Sequence, residues 1–135
     1  MKMLEWTDLL ETGNQNIDAE HRVFVNLVNK LINAIDRGTN NPTMSRLILE
    51  IQKYAEFHFV SEENLMLEIC YPDFDKHRRL HFELLEKFNI NLNYLELGKR
   101  THRDFAYFLV QWFKSHTIKE DKRIVSFLQK GLSNV

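Results

Sequence analysis

Six histidines occur in the chain, and five of them fall on helical apolar stripes: His21, His58, His77, His81 and His116. Glu62 joins them one turn after His58. His77 and His81 form H-x-x-x-H, and His58 and Glu62 form H-x-x-x-E. Residues four apart on a helix share a face, so each pair can reach one common centre. Polar groups at core positions are costly unless they are paired. One inward histidine is satisfied by a hydrogen bond; five, with a carboxylate, drawn from four helices call for a metal. Imidazole nitrogen with carboxylate oxygen, and no thiolate at hand, suits iron, zinc, copper or manganese. The set is too large for one zinc ion and suits two metals bridged by carboxylates. It is richer in imidazole than the Glu-x-x-His sites of ferritin-like proteins. Neutral ligands stabilise high-valent iron poorly, which tilts the chemistry towards binding dioxygen rather than cleaving it.

A second carboxylate is expected after His116. On a regular helix Glu120, at i+4, lies about 40° round from His116, and Asp121, at i+5, about 140°. Regular geometry therefore selects Glu120. Asp121 reaches the centre only if the helix is widened locally, as in a π-bulge.

Four periodic segments position these groups: about 18–36, 43–69, 73–97 and 102–130, after an irregular arm of about 1–17. The first stripe reads Ile17, His21, Phe24, Leu27, Val28, Leu31 and Ile35, and the second Met44, Ile48, Ile51, Ala55, His58, Glu62, Leu65 and Ile69. The third reads Phe74, His77, His81, Leu84, Phe88, Leu92 and Leu95; the fourth Phe105, Leu109, Trp112, His116, Ile124, Phe127 and Leu128. The breaks are Arg37 to Pro42, Cys70-Tyr71-Pro72 and Leu97 to Thr101. Asp18 and Asp73 are the expected caps of the first and third helices. Long helices with short links predict an all-α, antiparallel up-down-up-down four-helix bundle forming a single domain over 1–135. Four glycines and two prolines in 135 residues leave too few turn signals for a sandwich or barrel.

Composition excludes several classes. Eighteen basic against nineteen acidic residues give a net charge of -1, unlike a nucleic-acid binder or a polybasic membrane anchor. The longest apolar run, Phe105 to Val110, is far too short to span a bilayer. Glu5 and Asp8 interrupt the N-terminus before any signal-peptide core forms. The lone Cys70 excludes an internal disulfide, so a reducing cytoplasm is the expected location. His102 and the Lys76, Arg78, Arg79 group read as solvated, and Trp112 as core.

The ordered set resembles the hemerythrins, in their single-domain bacterial form. The resemblance rests on Trp6 in the arm, Ile17-Asp18-Ala19-Glu20-His21, and His58-Phe59-Val60-Ser61-Glu62-Glu63 with Met66. It continues through Tyr71-Pro72 and His77-Arg78-Arg79-Leu80-His81 to Trp112-Phe113-Lys114-Ser115-His116 and Asp121. It implies two non-haem iron ions with an oxo or hydroxo bridge. One iron would be held by His77, His81 and His116. The other would be held by His21 and His58, with one position open for dioxygen. Glu62 and Asp121 would bridge them, so the family favours Asp121 where regular geometry favours Glu120.

The implied function is reversible dioxygen binding for storage, delivery or buffering, with oxygen held as hydroperoxide at the open iron and no catalytic turnover. The bridge gives its proton to the bound peroxide, so the formal charge of the centre is unchanged and a dry pocket suffices. An oxygen or redox sensor module, or a di-iron enzyme acting on peroxide or nitric oxide, are the alternatives. The implied partner is dioxygen, with no nucleic acid and no membrane insertion. One departure concerns the oxygen pocket: the family commonly has Leu three residues before the fourth-helix histidine, where this chain has Phe113.

Overall fold

The computed structural model describes residues 2–133. Four rods pack in a ring, joined by short links: α1 (Gln15–Asp36), α2 (Asn41–Glu68), α3 (Phe74–Glu96), and a fourth made of α4 (His102–His116), a π-helical turn (Thr117–Asp121) and α5 (Lys122–Ser133). No strand occurs among the described residues. The fold is the expected all-α four-helix bundle.

Local chemistry starts and stops each rod. Asn14 caps α1, its side chain accepting from Ile17 N at 2.9 Å. Asn40 caps α2 in the same way through Thr43 N at 2.9 Å, with Pro42 in the first turn. Thr101 and Asp104 form a reciprocal capping box on α4. Gly38 (φ 69°) and Gly98 (φ 73°) end α1 and α3 in the left-handed conformation that glycine adopts without strain. The end of α2 is built alike, with Tyr71 N donating to Met66 O at 2.9 Å, but Cys70 holds the left-handed position at φ 56°.

Two expected caps are corrected. Asp73 precedes α3 without a side-chain cap bond. Asp18 lies inside α1, because Asn14 starts the helix a turn earlier. Its carboxylate instead ties down the arm, accepting from Thr12 N (2.9 Å), Thr12 Oγ1 (2.8 Å) and Gly13 N (3.2 Å). The arm is held further along too. Leu4 exchanges two hydrogen bonds with the Asn29 amide, at 2.8 and 2.9 Å, and Arg22 sits over the Trp6 ring at 4.6 Å while pairing with Glu11 at 2.7 Å. Leu10, fully buried, ends a short 3-10 turn (Asp8–Leu10) that packs on the π-turn.

The core divides along the bundle. Late α1, early α2, late α3 and early α4 supply a fully buried apolar layer that includes Leu31, Ile51, Phe88 and Phe105. A smaller cluster of Met66, Tyr71 and Ile124 closes the opposite end. All five stripe histidines lie between the two. Among the described residues, no helix is long and apolar enough to cross a membrane.

Candidate metal centre

Each helix brings its polar groups to one level of the bundle. α1 supplies His21, α2 His58 and Glu62, α3 His77 and His81, and the fourth rod His116 and Asp121. The π-turn settles which acidic residue follows His116. Its i+5 repeat carries Asp121 back over His116, with Oδ1 at 2.9 Å from Nε2, and buries it. Glu120, the residue regular geometry selects, points away and pairs with Arg123 at 3.6 Å. His102 is half-buried at the start of α4, far along the rod from this level.

The two carboxylates divide their oxygens. Glu62 Oε1 lies 2.6 Å from His77 Nε2, 2.9 Å from His81 Nε2 and 3.9 Å from His116 Nε2; Asp121 Oδ1 lies 3.3 Å from His77 and 2.9 Å from His116. Glu62 Oε2 instead faces His58 Nε2 at 3.4 Å, and Asp121 Oδ2 faces His21 Nε2 at 3.0 Å. One oxygen of each acid thus serves a three-histidine set, the other a two-histidine set. The donor atoms of Glu62, His77, His81, His116 and Asp121 lie within 4.8 Å of one another, as do those of His21, His58, Glu62 and Asp121.

Only some of these approaches are hydrogen bonds: His77 and His81 Nε2 bond Glu62 Oε1, and His21 Nε2 meets His58 Nε2 at 3.0 Å. Glu62 Oε2, His116 Nε2 and both Asp121 oxygens are buried and lack a hydrogen-bond partner, although the ion-pair distances are short. These unpartnered atoms face one another across the two donor groups. Buried polar atoms are rarely orphaned in this way, and nitrogen and oxygen donors without thiolate fit a divalent first-row metal. Cys70 is exposed and outside the cluster.

Without metal, protons balance the cluster. Burial opposes charge on His58 and His116, but Glu20, Glu62 and Asp121 around the first, and Asp121 and Glu62 around the second, hold both imidazoles up at about 10. Burial likewise opposes charge on Glu62 and Asp121, and the surrounding imidazoles still keep both below the ordinary carboxylate range.

Two residues that the sequence reading did not single out support the histidines from outside. Glu20 Oε1 meets His58 Nδ1 at 2.7 Å, while its other oxygen accepts from Ser61 Oγ at 2.8 Å. Glu63 Oε2 meets His81 Nδ1 at 2.8 Å. Such partners fix the ring orientation and raise the basicity of the opposite nitrogen. The available signal was an acidic residue beside a candidate ligand in sequence, Glu20 before His21 and Glu63 after Glu62. Which histidine each would serve depends on how the helices are paired.

Beside the two-histidine set lies a cavity of about 20 Å³, lined by His21, His58, His116 and Asp121 and by apolar Phe24, Phe113 and Trp112, with Thr117 in its wall. That volume admits about one small molecule. Phe113 is buried there, edge-on to His21 (centroids 5.4 Å) and stacked on Phe24 (5.0 Å).

A family model described as the hemerythrin HHE cation-binding domain matches residues 12–128. The chain is 29% identical to a bacteriohemerythrin of Clostridium acetobutylicum over 129 residues, covering 91% of this chain and 99% of that one. It is 26% identical to a bacteriohemerythrin of Pseudomonas aeruginosa over 135 residues, covering all of this chain and 88% of the relative. A solved structure of a leucine-to-phenylalanine mutant superposes with a TM-score of 0.80 at 27% identity, covering 95% of this chain and 98% of that one.

Proposed function

The chain belongs to the hemerythrin family, in its bacterial form, and from that premise we propose that it binds dioxygen reversibly at a pair of non-haem iron ions. The observation that carries the reading is the division of the two carboxylates, one oxygen of each facing three imidazoles and the other facing two. In this reading His77, His81 and His116 would hold one iron, His21 and His58 would hold the other, and Glu62 and Asp121 would serve both. When bound, the irons would supply the two-electron chemistry that reversible dioxygen binding needs, beside His21 and His58.

The chain supplies the surroundings for that exchange. Phe24, Phe113 and Trp112 keep the cavity apolar beside His21 and His58, so water is disfavoured there and charge has no solvent to spread into. Trp112 is fixed by donating Nε1–H to Leu84 O at 2.9 Å. Glu20 and Glu63 hold His58 and His81 in place. The protein stores, delivers or buffers oxygen and turns over no substrate, and its proposed setting is the cytoplasm.

The test uses iron-loaded protein, reduced anaerobically, exposed to air and then degassed, with the visible spectrum followed throughout. A peroxide-to-iron(III) band that appears with oxygen and fades on degassing is expected. Rapid irreversible passage to the oxidised spectrum would overturn reversible binding, and failure to take up about two irons per chain would overturn the di-iron centre.

A further inference from the structure

The fully buried polar side chains are few, and nearly all are accounted for. Asp18 is satisfied by the arm, and His21, His58, Glu62, His77, His81 and Asp121 belong to the candidate centre. Thr117 remains, 1% exposed and outside both groups. It opens the π-turn and lines the cavity next to His21, His58, His116 and Asp121.

A helical threonine commonly hydrogen-bonds its hydroxyl to the carbonyl three or four residues back. Among the described residues the hydroxyl makes no hydrogen bond to another protein group. An enclosed hydroxyl without a protein partner is unfavourable, and the cavity that Thr117 lines offers room for one.

Other polar groups around the cavity are committed elsewhere. Trp112 Nε1–H is used on Leu84 O. His58 Nδ1 is used on Glu20. His21 Nδ1 is also orphaned, but its Nε2 faces Asp121 at 3.0 Å, so Nδ1 lies on the other side of the ring from the centre.

We infer that the Thr117 hydroxyl is a hydrogen-bond donor to the small ligand held in the cavity, and selects for diatomic or triatomic ligands that carry lone pairs and negative charge when bound. The inference rests on the di-iron reading and deepens it: the pocket is apolar on the side of Phe24 and Phe113 and has one donor on the side of the π-turn.

Azide is the probe, since it is small, anionic and a hydrogen-bond acceptor. The iron-loaded, oxidised wild type, Thr117→Val and Thr117→Ser are titrated with azide through its charge-transfer band, with iron content measured in each. Thr117→Val, which keeps the volume and removes the donor, is expected to weaken azide about 3- to 10-fold, the span of one net hydrogen bond. Thr117→Ser keeps the donor and is expected within about twofold of wild type. A second readout separates a donor from a packing effect: the azide antisymmetric stretch shifts between H2O and D2O in wild type and Thr117→Ser, and does not in Thr117→Val. Equal azide affinity in wild type and Thr117→Val, or no isotope shift in wild type, overturns the inference while leaving the di-iron reading intact. Absence of any azide band in iron-loaded wild type overturns both.

Discussion

Removing Glu20 tests whether the outward support of His58 sets the affinity of the two-histidine half of the centre. That half has two imidazoles and two carboxylate oxygens, one imidazole fewer than its neighbour, so it should be the weaker of the two. His58 is steadied by a short contact to Glu20, 2.7 Å, and Glu20 by Ser61 at 2.8 Å. Loss of such an outer partner lowers metal affinity about 10- to 100-fold, equivalent to about 1.4–2.7 kcal/mol. Glu20→Ala removes both charge and acceptor and belongs at the upper end. Glu20→Gln keeps a neutral acceptor, about half as strong as a charged one, and belongs near the lower end. Ser61→Ala should change affinity less than about threefold, because Glu20 is 22% exposed and water can replace the hydroxyl. The assay is an anaerobic competition of iron(II) between the protein and a coloured chelator. Wild type should show two tight sites, and Glu20→Ala one tight and one weakened site. Unchanged affinity at both sites in Glu20→Ala, with the helical content intact, would refute the reasoning.

Other perturbations reach different parts of the centre. Asp121→Ala should abolish stable loading of two irons per chain, whereas Glu120→Ala should leave iron content unchanged; metal analysis after desalting decides between them. Phe113→Leu enlarges the cavity beside His21 and His58 and should alter the autoxidation rate with little change in iron content, read from decay of the oxygenated spectrum; equal rates would assign Phe113 to packing alone. In metal-free protein His58 and His116 sit at about 10, above the unfolded value of 6.5. Their raised values stabilise the fold fully below pH 6.5, and that contribution is lost as pH rises through 10. The melting temperature of the metal-free protein should therefore fall between pH 6.5 and 10. Iron-loaded protein, its ligand protons displaced, should show a flatter profile over the same window.

Sequence spacing pointed to the histidines and Glu62 because each interrupts an apolar stripe, and that interruption shows in one dimension. The bundle followed from the same stripes and from the short links around Gly38, Pro72 and Gly98. Asp121 was harder. Regular helical counting points to Glu120, and only the π-turn, which no propensity in Thr117 to Asp121 announces, reverses the choice. Asp18 looked like a cap because it precedes a periodic run, but Asn14 outcompetes it by starting the helix earlier. Glu20 and Glu63 were invisible as partners for a different reason: each serves a histidine on another helix, so its role depends on packing between rods rather than on spacing within one.

The π-turn also makes residue count, as distinct from residue identity, a carrier of information. Inward positions on the fourth rod step by three or four through Phe105, Leu109, Trp112 and His116, jump five to Asp121, then resume at Ile124 and Val125, which are 0% and 2% exposed. The five-residue step resets the phase of everything that follows. Lys119, exposed in the middle of it, is tolerant of substitution and intolerant of deletion. Lys119→Ala leaves the phase alone, while removing that one residue turns α5 by about 100° relative to α4 and swings Ile124 and Val125 out of the core. A surface lysine with no chemistry of its own thus works as a spacer, and the segment it occupies is constrained in length more tightly than in sequence.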